Sequence, residues 1–294
     1  MIFKGSGVAL ITPFKNGEID IESFNKLIEF HIKSSTDALI ITGTTGESAT
    51  LSKEEKLLLY EEAVKTAKKR VPIIANTGTN NTFESIDLSL GAERLGVDGL
   101  LVVTPYYNKP TQKGLYAHFT AIANATALPI ILYNVPSRTS VSLSLETIVE
   151  LSKISNIVGI KEASGDLSFV EEIILSTPKN FALYSGNDDL YADTLRLGGD
   201  GVISVVANIV PSVSHQLFKE FQEDKENAFF IQERLNILND CLFIESNPVP
   251  VKTALSIMST ISNEVRLPLV TLEESSLNRL KKALNTFGIE AIKL

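Results

Sequence analysis

Cys241 is the only cysteine in the 294 residues, so the chain can form no internal disulfide and its composition fits a reducing compartment. It reads as buried filler. Histidine is nearly as scarce. His31, His118 and His215 are the only three, and none lies within metal-ligand spacing of another histidine, a cysteine or a carboxylate cluster. All three read as structural and no metal is expected. There is no basic stripe either: 27 Lys and Arg are scattered among 35 Asp and Glu for a net charge of −8, which excludes the electrostatic footprint of a nucleic-acid binder. No apolar run approaches the ~18 residues of a membrane-spanning helix. The opening Met1-Ile2-Phe3-Lys4-Gly5 lacks a signal-peptide pattern. A soluble cytoplasmic protein without membrane contact is expected. No G-x-G-x-x-G follows the first strand and the Walker pattern is missing, which counts against a nucleotide-binding open sheet.

What is present is a globular composition, 44% apolar and 21% charged, able to bury a full core. Short β-rich runs alternate with helical patterns. Strands are expected at 7–11, 38–42, 73–76, 99–104, 130–134, 157–161, 182–185 and 201–204, with starts between 19 residues (182 to 201) and 35 residues (38 to 73) apart. Helices are expected at 21–34, 57–69, 81–95, 114–125, 145–152, 167–175 and 190–197. Ser52 with Glu55 forms a capping box before the second, and Gly96 stops the third. Eight β/α units predict an α/β protein built as a closed (β/α)₈ (TIM) barrel, with an open doubly wound sheet as the alternative. After about residue 211 the β-runs stop, and helical segments at 214–223, 227–244, 251–260 and 272–286 are expected to form a C-terminal extension. The expected division is 1–224 for a catalytic barrel and 225–294 for a helical domain.

In such a barrel, chemistry belongs at the C-terminal ends of the strands. Lys161 ends the apolar run Ile157-Val158-Gly159-Ile160-Lys161, and strand alternation puts Ile157, Gly159 and Lys161 on one face. An amine there has two readings. Held away from water, where the charged form is disfavoured, it can attack a carbonyl and form a Schiff base; snorkelling from the strand end, it is merely solvated. Tyr133, one residue before the end of strand five, can carry protons for such an amine or simply pack its ring. Gly43-Thr44-Thr45-Gly46 offers N–H groups and hydroxyls to a carboxylate, or is a tight turn. Arg138 can clamp a carboxylate or pair with a surface acid. Strand seven ends in Ser185-Gly186-Asn187-Asp188 and strand eight in Gly201-Val202-Ile203-Ser204. Glu47 and Glu162 lack the pairing of a carboxylate enzyme and read as structural. Asn187-Asp188-Asp189 reads as a helix cap.

Together Gly43-Thr44-Thr45-Gly46-Glu47-Ser48, Tyr106-Tyr107-Asn108, Tyr133-Asn134-Val135-Pro136-Ser137-Arg138-Thr139, Gly159-Ile160-Lys161-Glu162-Ala163 and Asn247-Pro248-Val249-Pro250-Val251-Lys252 resemble the 4-hydroxy-tetrahydrodipicolinate synthase (dihydrodipicolinate synthase) family over essentially the whole chain. The resemblance implies a pyruvate-dependent class I aldolase, a lyase that condenses pyruvate with L-aspartate semialdehyde at the start of diaminopimelate and lysine synthesis. It implies Lys161 as the imine-forming residue, Tyr133 as proton carrier, and Thr44 and Tyr107 as a relay. Thr45, the Ile203 carbonyl and Gly186 fall to the pyruvate site, and Arg138 to the semialdehyde carboxylate. No metal or organic cofactor is implied, because the protonated imine is itself the electron sink. The resemblance further implies that Tyr107 reaches a neighbouring subunit, making the active unit at least a dimer and by family habit a tetramer.

In lysine-inhibited relatives the inhibitor binds near positions matching Ser48, Ala49, Asn80, Glu84 and Tyr106, and two further positions, commonly histidine there, are Lys53 and Lys56 here. A fixed ammonium about 5 Å from the ligand's own costs roughly 1–3 kcal/mol, so weak or absent feedback by lysine is expected unless both side chains swing into solvent. The alternative within the superfamily is a lyase cleaving N-acetylneuraminate or a keto-deoxy sugar acid. Arg138 favours the synthase, since it suits a carboxylate better than a polyol. A metal-dependent barrel hydrolase lacks its clustered ligands, and a non-catalytic sensor has no need of a buried lysine beside a tyrosine.

Overall fold

The computed structural model describes residues 1–258 and 261–289. Eight parallel strands close into a barrel: β1 (Gly5–Ala9), β2 (Ala38–Ile41), β3 (Ile73–Asn76), β4 (Gly99–Val103), β5 (Ile130–Asn134), β6 (Ile157–Glu162), β7 (Ala182–Ser185) and β8 (Gly201–Ser204). Each pairs with its chain neighbour, and β1 closes the ring by pairing with both β2 and β8. Near-continuous apolar runs suit such strands, because helices cover the outside while side chains fill the inside. β1 falls two residues earlier than its apolar pattern places it. Leu10 and Ile11 are buried but lie past the paired stretch, where Ile11 N–H donates to the Asn208 side chain at 3.2 Å.

The helices are α1 (Ile21–Lys33), α2 (Lys53–Ala67), α3 (Thr82–Leu95), α4 (Gln112–Ala125), α5 (Leu145–Leu151), α6 (Leu167–Ser176), α7 (Tyr191–Leu197) and α8 (Pro211–Glu223). The Ser52–Glu55 capping box opens α2, and Gly96, in the left-handed region at φ 83°, ends α3. α8 packs on β1, so the first of the expected extension helices supplies the eighth β/α unit. Beyond it come α9 (Lys225–Leu242), α10 (Val249–Ile257) and α11 (Glu274–Phe287). Residues 259–260, the end of an expected helix, and 290–294 of the expected C-terminal domain lie outside the described residues.

Two apolar layers result. The larger fills the space between barrel and helices, while Phe3, Ala9, Ala38, Ile40, Ile74, Leu101, Ile131, Tyr133, Ala182, Tyr184 and Ile203 fill the barrel. Phe3 stacks on Tyr184 with ring centroids 4.3 Å apart, and its carbonyl accepts the Tyr184 hydroxyl at 2.7 Å, plugging the interior. One expectation of facing fails. Ile157 belongs to the outer layer, not to the face of Lys161. The register between β5 and β6 shifts there: Ile130 pairs with Ile157 but Ile131 with Gly159, so Val158 is an extra residue. Such an irregularity reverses the alternation across it.

Candidate active site

Tyr133 and Lys161 are paired in register on β5 and β6, and Tyr184 of β7 is the next partner across. This puts the Lys161 Nζ 4.3 Å from the centroid of the Tyr133 ring. Both side chains are only 6% exposed. The amine makes no ion pair or hydrogen bond with any of the described residues, whereas the other buried lysine, Lys252, is paired at 2.5 Å with Glu47. An aromatic face is a weak partner beside a carboxylate. Lys161 is therefore enclosed without being neutralised.

It opens into a cavity of about 200 Å³ at the C-terminal mouth of the barrel. Thr44, Thr45, Tyr133, Arg138, Lys161 and Gly186 all line it. Gly186 serves by what it lacks: a Cβ there would stand 3.0 Å from the Lys161 Cε and 2.5 Å from the Ala163 Cβ. Arg138 lies in the single turn Pro136–Thr139 after β5, with its guanidinium in no ion pair among the described residues, unlike Arg70, Arg196 and Arg266. It also borders a second cavity, of about 430 Å³, that shares Thr44, Val135 and Asn247 with the first.

Two expected residues stand apart. Ile203 is in the packed barrel interior, not on the cavity wall. Tyr107 is 89% exposed on the loop after β4, with φ 71°, and no hydrogen bond joins it to Thr44 or Tyr133. A positive φ is uncommon for a bulky residue and marks a segment held by something other than its own preference.

Asp188 corrects the capping expectation. It is buried, and instead of capping a helix it accepts from the Ser204 hydroxyl, the Val205 N–H at 2.8 Å and the Val206 N–H at 3.2 Å, which shapes the turn after β8. Burial raises its pKa against those hydrogen bonds and the nearby Lys161 charge. Burial likewise raises that of Glu162, held by the Asn134 amide at 2.8 Å and the Ser164 N–H at 2.6 Å beside the strand end that carries Lys161.

The C-terminal extension contributes what the strand ends did not suggest. Phe243 and Asn247 line the lysine cavity, and the Asn247 amide donates to the Thr45 hydroxyl at 3.0 Å. Five residues on, fully buried Lys252 holds Glu47, whose other oxygen accepts the Arg266 N–H at 3.0 Å. The Asn-Pro-Val-Pro-Val-Lys segment was visible as a motif, but nothing in its sequence links it to the loop after β2. In the larger cavity Ser48, Ala49, Lys56, Glu84 and Tyr106 come together, while Lys53 turns away to pair with Asp87 on the surface. Only Lys56 thus meets the charge argument made for both, and its pKa is lowered by burial against the attraction of Glu84.

No group of three or more His, Cys, Asp or Glu side chains among the described residues is placed to hold a metal, and no helix there is long and apolar enough to cross a membrane. The fold and site together define a (β/α)₈-barrel enzyme with a lysine-centred cavity at its mouth. The sequence model of the dihydrodipicolinate synthetase family matches residues 2–287. A 4-hydroxy-tetrahydrodipicolinate synthase of Thermoanaerobacter sp. (strain X514) is 50% identical over 290 residues, covering 98% of each chain. Among solved structures, dihydrodipicolinate synthase from Thermotoga maritima superposes with a TM-score of 0.97 at 42% identity, covering 98% of this chain and 100% of that one. The chloride-inhibited enzyme from Acinetobacter baumannii, solved in complex with pyruvate, does so with a TM-score of 0.96 at 46% identity, covering 98% and 100%. The chain belongs to the dihydrodipicolinate synthetase family.

Proposed function

We propose that the chain is a 4-hydroxy-tetrahydrodipicolinate synthase, condensing pyruvate with L-aspartate semialdehyde through an imine on Lys161. The observation that carries this reading is a buried amine with no ion pair or hydrogen bond among the described residues, facing a cavity and stacked on a tyrosine. As the free amine, Lys161 attacks the pyruvate ketone, and loss of water gives the imine. The protonated imine draws electrons from the adjacent methyl carbon, which gives up a proton and becomes an enamine. That carbon bonds to the aldehyde carbon, whose oxygen takes up a proton. The amino group of the second substrate then attacks the imine carbon and expels Lys161, closing the ring. No step is an oxidation or a reduction, and the protonated imine itself takes up the electrons of the C–H bond that breaks, so the reading needs no metal or organic cofactor.

Tyr133, against Lys161, is the proton donor and acceptor within reach of these steps. Thr45 takes the pyruvate carboxylate, Arg138 that of the semialdehyde, and Thr44 passes protons onward. Arg138 is supported by having no acidic partner among the described residues. Gly186 leaves the space through which the Lys161 side chain passes. Ile203, one residue before the end of β8, falls to the pyruvate site through its carbonyl by resemblance alone, since its side chain packs inside the barrel.

Tyr107 completes the relay from a second copy of the chain. Its exposed ring on a left-handed backbone supports that assignment, and with it a homo-oligomer, a dimer at least and by resemblance a tetramer. The enzyme works in the cytoplasm, without nucleic-acid or membrane partners. The test is a substrate comparison: turnover with pyruvate and L-aspartate semialdehyde, and none with N-acetylneuraminate, supports the synthase. The reverse pattern assigns the site to a sugar-acid lyase.

A further inference from the structure

We infer that Asn247 is a positioning residue that fixes the polarity of the Thr45 hydroxyl, leaving its proton for the carboxylate of the keto acid bound at Lys161. The inference deepens the function proposed above and rests on it. Thr45 is buried, at 2% exposure, and lines the lysine cavity. Its Oγ1 receives the Asn247 Nδ2–H at 3.0 Å, its one side-chain hydrogen bond among the described residues. A threonine hydroxyl has a single proton to donate. A neighbour that donates to the oxygen leaves that proton uncommitted, whereas one that accepts from it removes the proton from use. A carboxylate ligand only accepts, so the Thr45 hydroxyl can bind it only in the first arrangement.

Asn247 is held in place to do this. It is 7% exposed, lines the same cavity, and its Oδ1 is buried without a partner among the described residues. The amide is thus committed to the protein through its donor end alone. Its distance to Thr45 is secured two residues along the loop, where Glu47 takes Lys252 of α10 at 2.5 Å and the Arg266 N–H at 3.0 Å. One stretch of the C-terminal extension, 247–252, therefore grips the substrate loop at two points, one of them at the ligand-binding hydroxyl itself. The barrel strands supply the amine, and the extension orients the group that holds the substrate against it.

The test is a double-mutant cycle on the full chain, following KM and kcat for pyruvate across pH. Asn247→Asp keeps the shape but, ionised, can only accept, drawing the Thr45 proton towards itself. At neutral pH the KM for pyruvate is expected to rise on the order of tenfold or more, as for loss of a charge-assisted hydrogen bond, with kcat changing less. The rise should reverse as pH is lowered and the introduced carboxyl protonates, a recovery that a distorted loop would not give. In a Thr45→Val background the same substitution should change KM by less than about twofold, because the partner through which it acts is gone. Asn247→Ala, which removes the donor without adding charge, goes through the same cycle and decides it if the aspartate variant does not fold. It is expected to give a smaller rise that also disappears with Thr45→Val. An unchanged KM, or an equal rise in both backgrounds, overturns the role of Asn247. Borohydride trapping of pyruvate on the wild-type chain separates the two levels: labelling with additive effects sinks this inference alone, and no labelling sinks the proposed function and this inference together.

Discussion

Lys161 and Lys252 are both buried, at 6% and 0% exposure, and their neighbours differ in kind. Glu47 meets Lys252, and a desolvated cation with a carboxylate partner is a structural tie. Lys161 meets the face of Tyr133 and opens into the cavity, with no ion pair among the described residues. The place of Lys161 at the barrel mouth was legible in the sequence because it interrupts an apolar strand at the end where barrel enzymes place their reacting groups. Thr44, Thr45, Tyr133, Arg138 and Gly186 were legible for the same reason, and all line its cavity. Asn247 was not, since its meeting with Thr45 depends on how a distant helix docks. The contribution of Gly186 is volume: in Gly186→Ala the new methyl is driven against the Lys161 and Ala163 side chains. Displacing a reacting atom by about 1 Å can cost on the order of 10²-fold, so kcat/KM for pyruvate is expected to fall at least tenfold while the chain stays folded. Unchanged kinetics would show that the lysine has slack.

At the scale of elements, all eight strands and the barrel helices follow from apolar runs and caps that agree with one another. The failures are local and have causes. β1 stops two residues short of its apolar pattern: Leu10 N–H still reaches the Ile40 carbonyl of β2 at 3.0 Å, but Ile11 N–H turns to the Asn208 side chain at 3.2 Å. The facing of Ile157 is reversed by the extra residue Val158, which periodicity cannot reveal. α10 and the loop after β2 are tied by a cluster no pattern announces, in which Phe14 lies between Lys252 at 4.2 Å and the Arg266 guanidinium at 4.4 Å. Removing one member leaves the other charge buried. Lys252→Met is therefore expected to destabilise by about 3–5 kcal/mol in urea unfolding, and the double change Lys252→Met with Glu47→Leu by clearly less. If the double variant is as unstable as the single, the ion pair is not the source of the cost.

The whole molecule carries buried groups whose titration opposes folding. Burial pushes His31 down to about 3 and His118 down to about 4. In the unfolded chain both bind protons near 6.5, so between that pH and their folded values the unfolded state holds more protons and stability falls with acidification. Asp37, Glu162 and Asp188, raised by burial, act the other way: their contribution is present below the unfolded carboxylate range near 4 and is lost as pH rises through their folded values. A variant difference isolates the histidine. His118→Gln, measured against the parent, should gain relative stability steadily as pH drops from about 6.5 to about 4, and show no such trend above pH 7. A difference that is flat across the acid range would mean that His118 is not neutral in the folded chain.

The proposed function turns on covalent capture of a keto acid by one side chain. Incubation with pyruvate, reduction with borohydride and peptide mapping of the full chain measures that capture directly. The expected result is one pyruvate-derived adduct on the peptide carrying Lys161, absent from Lys161→Ala, with turnover lost in that variant by several orders of magnitude. An unlabelled wild-type chain, a label on another lysine, or an alanine variant that still turns over would contradict it.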